Sequence, residues 1–232
     1  MSPARIRLYT VYNIFLLVLT ASVCRAVLAR PDAPVGYLKA GFGCSDVYYT
    51  RQDAGYVPTI ERMTDLYYPL LREDFGVAED VRAKLVICRD APAFPGGPDK
   101  SGGTPIGACR GGTVYIVSPS LWLQNADDAK AKDVFMSKGP LVHELAHFLT
   151  GVKSGGKCAA WVAEGVALYY EYKYTGSEWR PDLAGRTGVS LAELEDGFGG
   201  LDAGAAYRKA FEVILAIVEA HGEAALQRAI GR

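Results

Sequence analysis

Histidine is scarce in this chain: among 232 residues there are three, His143, His147 and His221. Charge of one sign is missing as well. Lys and Arg number 25 against 26 Asp and Glu, so no electrostatic case exists for nucleic acid or for an anionic membrane surface as a partner. Repeats, collagen periods and coiled-coil heptads are absent, and the one marked apolar run, residues 11–23, is shorter than the about 20 residues a membrane-spanning helix needs. What remains is an ordinary globular composition, half hydrophobic and 22% charged, of a length that suits one domain.

The first 29 residues stand apart. Arg5 and Arg7 precede the apolar run, and small residues follow it to Ala29, which is the pattern of a secretory signal peptide, with an uncleaved N-terminal anchor as the alternative. The expected organisation is therefore a signal at 1–29 and a single secreted or periplasmic domain at 30–232. Removing the signal takes away Arg5, Arg7 and Arg25 and no acid, moving the formal charge from −1 to −4. Four cysteines then remain, and an even number in an exported protein suggests two disulfides. Cys88 ends one expected strand and Cys109 lies before the next, so Cys88–Cys109 and Cys44–Cys158 are the favoured pairs.

Periodicity predicts strands at 46–50, 83–88 and 112–118, with a long Gly/Pro-rich loop at 91–112 that reads as a flap beside a cleft. A helix is predicted from Thr59 to about Phe75, with Pro69 expected to kink or shorten it. Further helices are expected at 130–137, from Pro140 to a Gly151 cap, from Ala159 onward, after the capping box Ser190-Leu191-Ala192-Glu193, and from Asp202 to Gly222. The fold class is α+β.

Within the helix that Pro140 opens, His143-Glu144-Leu145-Ala146-His147 reads H-E-x-x-H. On a helix His143 and His147 project from one face, one turn apart, and both imidazoles can reach a single ion. Glu144 is rotated by about 100° from His143 and is better placed to take a proton from water than to be a ligand. With so few histidines, chance produces the pattern in roughly two such chains per thousand. A hydrolytic zinc ion wants three protein ligands and an open position. His221 lies at a helix end far downstream and reads as a C-terminal cap interaction. Glu164, on the next helix in Trp161-Val162-Ala163-Glu164-Gly165, is the better third ligand, with Gly165 allowing that helix to approach the first closely. A purely structural zinc site would need four closed ligands, and no cysteine pair stands nearby at the required spacing.

HELAH followed by W-x-x-E-G-x-A resembles the gluzincin zinc metallopeptidases, especially the peptidase MA-like group. The similarity extends through residues 190–195 and 206–230 and covers roughly 83–232. A looser likeness links the chain to the basic secretory proteins of plants and bacteria. The resemblance implies a zincin-like fold: a small mixed sheet, the H-E-x-x-H helix, a second Glu-bearing helix and a helical C-terminal part. It implies one zinc ion on His143, His147 and Glu164, Glu144 as general base, Tyr207 as donor to the tetrahedral oxyanion, and a peptide or protein substrate paired along strand 112–118. A monomer is expected. The competing expectation is a catalytically inactive secreted binding protein that keeps the fold, against which Glu144 speaks.

Overall fold

Tyr48, Leu85, Ile87, Val114 and Ile116 are fully or almost fully buried, and the strands that carry them form the middle of one sheet. The computed structural model describes residues 36–89, 105–123 and 128–230. The expected signal or anchor at 1–29 and most of the expected flap lie outside the described residues. Those from Tyr37 onward form one unit.

Five strands make the sheet: β1 (Leu38–Gly41), β2 (Ser45–Tyr49), β3 (Ala83–Cys88), β4 (Gly107–Arg110) and β5 (Thr113–Val117), in the spatial order β1-β2-β3-β5-β4. The central neighbours β2–β3 and β3–β5 are parallel, and the edge strands β1 and β4 run antiparallel to theirs, so the sheet is mixed. Helices supply the rest: α1 (Val57–Phe75), α2 (Pro119–Trp122), α3 (Asp128–Lys138), α4 (Leu141–Ser154), α5 (Ala160–Thr175), α6 (Leu191–Gly197), α7 (Ala203–His221) and α8 (Glu223–Ile230). The class is α+β, as the sequence predicts.

The apolar stripe of α1, with Ile60, Met63, Tyr68, Leu71 and Phe75, shares one core with β3, β5, α4 and α5. Pro69 does not interrupt α1 as expected. It lies on the exposed face, so the carbonyl its missing N–H would have served can bond to water instead. Helix α4 also outruns its expected Gly151 end. The left-handed cap is Gly155 at φ 59°, one turn later. The capping box at Ser190 and the Asp202 cap form as predicted, each side chain accepting a backbone N–H.

Strand 112–118 is not a free edge. As β5 it is paired with β3 on one side and β4 on the other. The edge is β4, whose last residue, Arg110, is opposite Thr113, the chain folding back between them through Gly111 and Gly112 at φ 56° and 72°. Two successive positive φ values make the tight hairpin whose twist matches that of its strands. Gly165 also has a different partner from the expected one. A Cβ there would stand 2.7 Å from the Ala210 carbonyl oxygen and from Ile214 Cγ1, so its close approach is to α7 and not to α4.

All four described cysteines are free thiols. Register explains why Cys88–Cys109 fails: Cys88 is opposite Val117 and Cys109 opposite Val114, on the two sides of β5. With strands about 4.8 Å apart, their Cα atoms are roughly 10 Å or more apart, beyond the about 7 Å a disulfide tolerates. In place of the expected bond to Cys158, Cys44 directs its thiol to the Asp65 carboxylate at 3.3 Å.

Candidate metal centre

Helix α4 runs beneath the β4 hairpin and α5 packs beside it, and the cleft between them encloses about 990 Å³. His143 and His147, one turn apart on α4, point into it with their rings edge to face, and Glu164 reaches across from α5. The two Nε2 atoms are 3.0 Å apart. Glu164 Oε2 is 3.4 Å from His143 Nε2 and 3.3 Å from His147 Nε2. Corners of a tetrahedron around an ion with bonds of about 2.0–2.1 Å are separated by about 3.3 Å. The three donors therefore already stand at the edge lengths of one tetrahedral face, and among the described residues they are the one group of this kind able to hold a metal ion. Their side chains keep 16–21% exposure at the cleft floor, which leaves the cluster open on one side.

The charges fit a cation equally well. Burial opposes a positive His143, yet hydrogen bonds to Glu164 and Glu171 and the charges of Glu144 and Glu164 raise its pKa well above the ordinary imidazole value. Burial also opposes a charged Glu164, but His147 beside it and hydrogen bonds from both imidazoles hold its carboxyl far below the usual carboxylate range. Glu144 is pushed up by burial first; the two histidines pull it down, while Glu164 and Glu171 raise it further. Three carboxylates around two imidazoles in a half-closed pocket carry an excess of negative charge that a divalent ion neutralises.

Glu171 is a site residue that the sequence reading passes over. Its Oε2 lies 3.2 Å from His143 Nδ1, on the side of the ring away from the donor cluster. Its signal was its spacing: residues 164 and 171 are two helical turns apart, hence on one face. Gly107 is another. A Cβ on it would stand 2.6 Å from Glu144 Oε1 and from Pro140 Cβ, so edge strand β4 comes this close to Glu144 only because this residue has no side chain. Ile106 O accepts from Val117 N, and alternation along the antiparallel ladder turns the N–H and C=O of Gly107 and Cys109 towards the free edge. The Cys109 thiol lines the same cleft, its pKa pushed up to about 12 by burial and by Glu144.

Tyr207 also lines the cavity, from α7, with its ring stacked on Phe198 at 5.5 Å. His221, the last residue of α7, is exposed and takes no part in the cluster. No helix among the described residues is long and apolar enough to cross a membrane. No family model matches the sequence, and no curated protein matches it either.

Proposed function

We propose that this chain is an exported zinc-dependent peptidase with a zincin-like fold, in which Glu144 is the general base. The observation that carries this reading is the triangle of two imidazole nitrogens and one carboxylate oxygen with sides of 3.0–3.4 Å, beside a buried glutamate that is not part of it. Zinc held by His143, His147 and Glu164 supplies Lewis acidity, polarising a carbonyl and acidifying water. The remaining work falls to side chains and backbone. Glu171 accepts the proton-bearing Nδ1 of His143 and so keeps the Nε2 lone pair facing the cluster. Glu144, with its pKa raised by burial, takes the proton of the attacking water and passes it to the leaving amine. The outward N–H and C=O groups of Gly107 and Cys109 pair with an extended peptide, and the contact of Gly107 with Glu144 sets the scissile bond alongside the base. Tyr207 is assigned as donor to the tetrahedral oxyanion, a contact of a kind worth about 10²–10³ in rate.

Metal analysis of the purified protein tests the ligand set: one zinc per chain is expected, falling to background in His147→Ala. Cleavage of an unstructured protein tests the chemistry. The parent should cleave it, and Glu144→Gln should keep its metal while losing turnover. Equal cleavage by both would remove Glu144 from the mechanism, and a zinc-loaded parent that cleaves no peptide library would leave a binding protein.

A further inference from the structure

Trp179 is 41% exposed, lines the cleft, and lies in the loop between α5 and α6. Its ring centroid is 6.1 Å from that of Tyr207, which in turn stacks on Phe198, so the three aromatic rings form one series.

The loop that presents Trp179 is fastened with unusual care. Arg208 of α7, only 6% exposed at its side chain, donates from Nη1 to Glu178 Oε1 at 2.6 Å and to the Trp179 carbonyl oxygen at 3.0 Å. Its Nε donates to Glu212 Oε1, which also accepts the Gly185 N–H further along the loop. The next residue, Arg180, is the one non-glycine residue with positive φ among those described, at φ 43° and ψ 57°. It is held there by two hydrogen bonds to Asp182, at 2.9 and 2.8 Å, and lies over Gly204, where a Cβ would come within 3.1 Å of Nη1. A left-handed arginine is disfavoured on its own and persists only where its surroundings enforce it. A buried cation and a forced backbone turn thus fix the main chain at Trp179 and at the residue after it.

We propose that Trp179, fixed by Arg208, is the platform that receives a large aromatic or branched aliphatic side chain of an extended peptide lying in the cleft. The inference rests on the peptidase reading of that cleft and names its substrate class. Further apolar residues of the cavity lining, Phe148, Val152 and Leu168, favour an apolar guest. Trp179 then binds substrate, and Arg208 is a positioning residue that acts through it.

The test is binding to the zinc-loaded Glu144→Gln chain, which holds peptide without cleaving it, measured by calorimetry. The probes are short peptides identical except for Phe, Leu, Ala or Lys at one position, scanned along the sequence. At one register Phe and Leu should bind about tenfold more tightly than Ala or Lys, as burial of one large apolar side chain implies. In Trp179→Ala that preference should shrink to less than twofold, and Trp179→Phe should restore most of it. Arg208→Lys, with its fold checked by circular dichroism, should lose the preference while keeping Trp179. Retention of the full preference in Trp179→Ala, no preference at any register, or tightest binding of the Lys peptide would each overturn the proposal. Preferential binding together with a parent that cleaves nothing would sink the hydrolytic reading and leave the platform standing.

Discussion

Two carboxylates lie deep in this molecule and have opposite surroundings. Asp53, fully buried, accepts from the Thr50 hydroxyl at 2.7 Å, from the Ser118 hydroxyl, and from Arg89 at 3.3 Å, and each partner comes from the chain just beyond β2, β5 or β3. Glu144, 6% exposed, is reached by no hydrogen-bond donor among the described residues and feels only burial and the charges around it. The first cluster is closed: every oxygen is spoken for, and its role is to tie three strand ends together. The second is held open beside donors that face one another. A buried acid left without partners destabilises the fold, so its presence at one place and not the other sets Glu144 apart as the acid that packing alone does not account for.

Removing each acid should separate the two roles. Glu144→Gln should lower turnover by about 10³-fold or more while thermal stability stays the same or rises, since general-base catalysis contributes about 10²–10⁴. Asp53→Ala should do the reverse: about 3 kcal/mol of stability lost in denaturant unfolding, because Arg89 and two hydroxyls lose their acceptor, with turnover per folded molecule retained. If both substitutions struck stability alone, the contrast between the clusters would fail.

Glu171 sharpens the comparison, being an acid that is neither ligand nor base. Glu171→Gln should weaken metal affinity by about 10–100-fold in chelator competition, the usual cost of losing the carboxylate behind a ligating imidazole. Acid should give the smallest and most gradual effect. Ion and proton compete for the same Nε2 lone pairs, and the raised pKa of His143 means that the proton already competes above the ordinary imidazole value of about 6.5. Apparent metal affinity should therefore fall as pH drops from above that value, by up to about tenfold per unit for each proton displaced. An affinity flat from pH 8 to 6 would contradict the ligand assignment.

How much of this could be read before the fold was known depended on how local the signal was. His143, Glu144 and His147 lie within a turn and a half of one helix, and spacing alone sets them on neighbouring faces. Glu164 is reachable because it follows His147 by enough chain to start a second helix, in a W-x-x-E-G segment whose glycine permits close approach. Glu171 was just as visible by spacing, yet nothing in a pattern search asks what stands behind a ligand. The edge strand was misplaced because β4 lies at the end of a Gly/Pro-rich stretch that reads as a loop, although Gly111-Gly112 before an alternating run is a hairpin signal. The disulfides failed for a different reason. Counting cysteines says nothing about register, and here β5 lies between two of them. Gly165 inside a helix signals a close neighbour, but which helix it touches is a tertiary fact.

That contact sets an order of events. Glu164 stands on a helix whose backing is Ala210 and Ile214, so the third donor has no firm seat until α7 has been made and has docked. A partly synthesised or unravelled chain carries the two imidazoles without their carboxylate. Closure of the triangle thus waits on the distal part of the polypeptide.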